Sequence, residues 1–127
     1  MRIRLQDGLP YVSTKVTYQG QSLWLENALL DTGSAGVIVA TDQALTIGLL
    51  YEPDDVVHRI HGVGGAEFVY AKRVDELSVG ELHVHDFEIE VGAMDYGFEI
   101  DGIIGMSFLI QVGAVIDLVQ LEVRLSA

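Results

Sequence analysis

The sequence carries 19 Asp and Glu residues, and one of them stands apart by its neighbours. In Leu29-Leu30-Asp31-Thr32-Gly33-Ser34-Ala35-Gly36 a carboxylate ends an apolar run and is followed at once by a hydroxyl and a glycine. That pattern lifts a carboxylate out of a hydrophobic strand on a tight loop. Gly33 lets the backbone approach closely, and Thr32 and Ser34 can hydrogen-bond the carboxylate or the loop itself. Taken alone, the triplet is also the mark of an ordinary Asx-turn between two strands. A fainter echo comes 70 positions later at Asp101-Gly102-Ile103-Ile104-Gly105, again leading into a helix, and suggests two related half-units. His83 and His85 lie two apart, so on a strand they share a face, and with Glu81 or Asp86 they could hold a divalent cation. No third ligand has clear spacing, the solvated face of a hairpin explains the pair better, and no metal is expected. His58 and His61 flank a glycine-rich stretch and are either pH-sensitive groups or plain loop-side polar residues.

These residues need elements to position them. Residues 11–18, 23–25, 28–30 and 37–39 are short, β-branched and partly alternating, which predicts strands. Thr41 reads as the hydroxyl cap of one short helix that Gly48 stops. Two strands, 56–61 and 66–74, meet through Gly62-Val63-Gly64-Gly65, a hairpin tip expected to be mobile. A further hairpin covers 77–91, where Glu88 and Glu90 alternate with Phe87, Ile89 and Val91 as on an edge strand with one wet face. A helical turn over 107–111 and strands near 114–117 and 120–125 finish the chain. Trp24, between Leu23 and Leu25, is expected in the core or an interface. The pattern is mostly β, a closed or partly open barrel with one or two short helices.

Composition narrows the classes. At 127 residues the chain is expected to be one domain, 1–127. It has no cysteine, which excludes a disulfide scaffold, a thiol enzyme and a Cys-ligated metal site. Seven Lys and Arg against 19 Asp and Glu give a formal charge of −12, which repels phosphate backbones and anionic lipids, so nucleic acid is not an expected partner. Half the residues are apolar and mean hydropathy is +0.34, a surplus that a partner subunit could cover. No segment reaches the ~20 apolar residues of a membrane helix, and the first residues lack the apolar core of a signal peptide. The expectation is a soluble, cytoplasmic chain without membrane insertion, whether whole or cut from something longer.

Taken together, three motifs resemble the retropepsin-like aspartic proteases, single-domain relatives of pepsin. Leu29 to Ser34 is similar to their catalytic loop, with two apolar residues before Asp-Thr-Gly. His61, Gly62, Val63, Gly64 and Gly65 are similar to the flap tip. Ile103, Ile104 and Gly105, followed by Met106 to Gly113, resemble the apolar-apolar-Gly motif before the short helix, close to viral versions. The resemblance runs from residue 10 to residue 125. Ser34, where many viral enzymes carry Ala, resembles the pepsin-like and bacterial branches. The flap has no counterpart of the pepsin tyrosine, since Tyr70 lies too far down its strand.

The resemblance implies an aspartic endopeptidase without cofactor. One carboxylate acts as base on water while a second, protonated, acts as acid on the scissile carbonyl. The chain has one Asp-Thr-Gly, and Asp101 occupies the motif that packs beneath the catalytic loop. The second aspartate is therefore expected from Asp31 of another copy, in a C2 homodimer. Thr32 would lock the two loops across the axis, and the terminal segments, Arg2 to Leu5 and Val119 to Leu125, would interleave. Flaps would close over an extended polypeptide bound as an added strand. The alternative is a catalytically silent module of the same fold that dimerises or binds peptides.

Overall fold

A computed structural model describes residues 1–62, 65–94 and 99–126, with backbone only for 61, 62 and 65–67. Val63 and Gly64 of the expected flap tip lie outside the described residues, as do the side chains of His61, Gly62 and Gly65.

The β-branched runs pair in chain order at first. β1 (Arg4–Gln6), β2 (Leu9–Tyr18) and β3 (Gln21–Leu30) form an antiparallel meander. Its turns are Asp7-Gly8 and Gln19-Gly20, with φ of 54° and 77°, then 49° and 81°, the paired positive values that match two-residue turns to strand twist. After β4 (Val37–Ala40), α1 (Thr41–Ala44) and a 3-10 turn (Leu45–Ile47), two long hairpins follow. β5 (Val57–Gly62) pairs with β6 (Gly65–Val79), which pairs in turn with β7 (Leu82–Gly92). β8 (Gly102–Ile104), α2 (Met106–Val112), β9 (Val115–Asp117) and β10 (Glu122–Arg124) complete the described elements.

Sheet order is β1-β2-β3-β8-β4-β7-β6-β5, and β2 also pairs with β6, so the strands curl into a ring. The mostly β expectation holds. Inside the ring the main core gathers Val12, Leu25, Val39, Leu77, Leu82, Ile89, Ile104 and Phe108, all buried. On the opposite face of the same strands sits a second cluster of Tyr11, Ile38, Ile100 and Ile103, joined by Leu9, Leu29, Ile60 and Met94. No helix among the described residues is long and apolar enough to cross a membrane.

Several expectations are corrected. The helix cap is Ala40, without a side-chain cap bond, and Thr41 is already helical. Of the two places expected for Trp24 the core is excluded, since it is 55% exposed beside Lys15. β7 is no edge: β4 and β6 flank it. The terminal segments, expected to interleave with another copy, pair with each other within the chain. Ile3 N–H donates to the Leu121 carbonyl at 2.8 Å and Val123 N–H to the Met1 carbonyl at 2.8 Å.

Candidate active site

Strand β3 delivers Asp31. Its end pairs in parallel with β8, Leu29 opposite Ile103 and Leu30 opposite Ile104, and the Asp31 N–H continues the ladder by donating to the Ile104 carbonyl at 3.0 Å. β4 flanks the other side of β8, antiparallel, with Val37 opposite Ile104. The segment from Asp31 to Gly36 therefore crosses the end of β8, from one of its neighbours to the other.

That loop is held by the start of α2. The first N–H groups of a helix have no partner within the helix. Here Met106 N–H donates to the Ser34 carbonyl and Ser107 N–H to the Ala35 carbonyl, each at 2.8 Å. Gly105 allows the approach, because a Cβ there would lie 2.5 Å from the Ser34 oxygen and would strike the Gly36 oxygen. Ile103 and Ile104 thus lie paired beside the end of β3, and Gly105 lies against the loop.

The Asp31 carboxylate takes its bond from the backbone: Gly33 N–H donates to Oδ1 at 2.9 Å. The Ser34 hydroxyl points elsewhere, donating to the Gly36 carbonyl at 3.4 Å. Asp31 is partly buried, while Thr32 and Gly33 are exposed. Directly paired strand residues share a face, so Leu29, Ile103, Ile38 and Glu90, registered in turn across β3, β8, β4 and β7, lie on one side. Asp31, two residues past Leu29, continues on that side. Gly92 of β7, Val69 of β6 and His58 of β5 are registered in turn on the same side. The result is an apolar floor with a carboxylate at its end and a hairpin beside it.

Residues 14–108 match the family described as aspartyl protease. The chain belongs to the aspartyl protease family. Among solved structures it is similar to a retropepsin-like aspartic protease from Rickettsia conorii, at a TM-score of 0.69 and 18% identity over 97% of this chain and 95% of that one. Its fold is retropepsin-like. Comparison with curated proteins gives no match.

In this aspartyl protease Asp101 is not free for chemistry. Its Oδ2 accepts the Asn27 N–H at 3.1 Å, and Gln43 Nε2 reaches Oδ1 at 3.5 Å. Asn27 lies four residues before Asp31 on the same run, about 13 Å of extended chain away. His83 and His85 do share a face, their rings meeting edge to face at 5.5 Å. Among the described residues no group of three or more His, Asp or Glu is arranged to hold a metal ion.

The hairpin base is anchored by Lys72, which the sequence reading passed over, and by Tyr70, to which it gave no role. Lys72, its side chain only 6% exposed, meets Glu52 at 2.7 Å and Asp55 at 2.9 Å, and Tyr70 donates its hydroxyl to the Leu49 carbonyl at 2.8 Å. These bonds tie the 49–55 loop to β6. The hydrogen bond from Lys72 holds the Asp55 carboxyl below its usual value of 3.8, although partial desolvation opposes it. A carboxylate with a lowered folded pKa contributes stability above its unfolded pKa and loses it as pH falls through the folded value. Lys72→Met should therefore lower the melting temperature at neutral pH by roughly 5 °C. The gap to the wild type should close in acid as Asp55 protonates, which calorimetry between neutral pH and pH ~3 would measure.

Proposed function

We propose that two copies of this chain form an aspartic endopeptidase with one Asp31 from each. The observation that carries the reading is the Asp31-Thr32-Gly33 loop, held by β8 and α2 at the end of an apolar floor, in a chain whose other motif aspartate, Asp101, is committed to Asn27. One ionised Asp31 takes a proton from a water, whose oxygen bonds to the peptide carbonyl carbon. The partner subunit's Asp31, protonated, gives its proton to the carbonyl oxygen. The first Asp31 then gives the proton it took from water to the amide nitrogen, the C–N bond breaks, and a hydroxyl proton of the diol returns to the partner subunit's Asp31 as the new carboxyl forms. Two carboxylates that close share one proton and titrate as a pair. Thr32, exposed on the loop, is the residue for the contact across the axis, and an extended peptide would lie between the floor and the β5–β6 hairpin.

Exposed Ile110, Leu118, Val119 and Leu125, on α2 and the C-terminal segment, supply apolar surface that a second copy could cover. Two chains each of formal charge −12 repel one another, and a sequence pI near 4.4 means that the charge fades in acid. The dimer should therefore be tighter at pH 4.5 than at pH 7.5, and at pH 7.5 tighter in high salt than in low, by sedimentation.

The deciding experiment follows peptide hydrolysis as the protein is diluted. Specific activity should fall as the dimer dissociates, and a statine-containing peptide should inhibit it. Activity that stays constant in a strictly monomeric sample removes the shared-dyad reading. Binding of the statine peptide with no cleavage of a diverse peptide library leaves the silent module in its place.

A further inference from the structure

The floor of the cleft is apolar except at Glu90. Glu90 sits opposite Ile38 of β4 and opposite Ala71 of β6, on the face that carries Ile103 and Leu29 toward Asp31. It is partly buried there and forms no ion pair among the described residues. Its carboxylate leans over the end of the catalytic loop: a Cβ built on Gly36 would lie 3.0 Å from Oε1. Beyond it opens a depression of about 410 Å³ whose walls include Gly36, Glu88, Glu90, Ser107 and Gln111 together with Arg73, whose charge is already paired with Asp86 at 2.8 Å. Burial raises the Glu90 pKa, the charge of Glu88 adds to this, and His58 of the flap hairpin opposes it.

We propose that Glu90 is a specificity-determining residue of the cleft, selecting peptides with a lysine or arginine a few residues from the bond that is cut. The inference rests on the peptide-hydrolase reading above and adds the substrate class. A carboxylate without a counter-ion, half withdrawn from water, is a costly group that an incoming cation relieves. Lys and Arg suit the place on two counts: their aliphatic stems lie well on surfaces such as Ile38 and Ala71, and their heads reach a carboxylate. Asp or Glu on the peptide would be repelled by both Glu88 and Glu90. Three strand spacings separate β3 from β7, about 14 Å, the length of roughly four residues of extended chain, less what the Glu90 side chain reaches back.

The test is a pair of non-cleavable statine peptides differing only in lysine or norleucine, placed two to four residues from the statine. Their affinities are measured for the wild type, Glu90→Gln, Glu90→Lys and Asp31→Asn. The wild type should favour the lysine peptide by about tenfold or more. The ratio should fall to near one in Glu90→Gln and reverse in Glu90→Lys, while Asp31→Asn, without cleavage, keeps the wild-type ratio. Equal wild-type affinities at every placement overturn the proposal even if the protein cuts peptides. So does a preference that survives in folded Glu90→Gln. A wild-type preference with no cleavage of any peptide upholds the subsite and removes the hydrolase. Binding of neither peptide removes both.

Discussion

Asp31→Asn should abolish peptide hydrolysis, lowering kcat by about three orders of magnitude or more while leaving the fold intact. The asparagine side chain has nearly the shape of the acid, and its Oδ1 can still accept the Gly33 N–H that Asp31 Oδ1 now accepts at 2.9 Å. It cannot take a proton from water. General acid–base catalysis contributes about 10²–10⁴ in rate, and in a symmetric dimer the substitution removes both members of the dyad together with the proton they share. Melting temperature and dimer mass serve as controls. Asp31→Asn with near-normal turnover would leave the loop a structural feature.

The same variant tells whether the dyad is shared. In a random mixture of equal amounts of wild type and Asp31→Asn that exchange subunits, only about a quarter of the dimers carry two aspartates. Activity should then track the square of the wild-type fraction. A linear dependence would mean that each chain works with its own carboxylates. Asp101 is poorly placed for that role, since Asn27 N–H and Gln43 already occupy its oxygens.

The loop that carries Asp31 was legible because its signal is local. An apolar run, an acid, a hydroxyl and a glycine are contiguous from Leu29 to Gly33, and a strand ending in a tight loop is what they build. The support from Ile103 to Gly105 was legible only through resemblance, because the parallel pairing of β3 with β8 joins residues more than 70 positions apart. Alternation misled at β7. Glu88 and Glu90 mark a wet face, and a wet face was read as an edge. The strand is central, between β4 and β6, and the face with Glu88 and Glu90 is the one turned away from the core that holds Phe87, Ile89 and Val91. Period-two patterning reports which side meets water, not why. For Trp24 the flanking leucines offered the core or an interface, and the core is excluded because its own side of β3 lies exposed beside Lys15. Lys72 gave no local signal, since its partners Glu52 and Asp55 lie about 20 residues away.

Gly105→Ala should be the most destabilising single-methyl change at the site, costing more than ~4 kcal/mol or preventing folding. The added Cβ would meet the carbonyl oxygens of Gly36 and Ser34, the latter at 2.5 Å, and the Ser34 carbonyl carbon at 3.0 Å. These are backbone atoms of the catalytic loop, so relief requires the loop and α2 to part. Parting them strains the bonds from Met106 and Ser107 to the Ser34 and Ala35 carbonyls. Gly36→Ala is the informative comparison. Its Cβ meets Glu90 Oε1 at 3.0 Å, the far end of a side chain that can swing away, so its cost should be about 1 kcal/mol or less. Urea unfolding of the two variants measures the difference. Equal costs would mean that the loop can lift from α2 freely. The Asp31 backbone would then be tied to β8 by its N–H bond to Ile104 without support from α2, and the site would lack the rigidity on which preorganised acid–base catalysis depends.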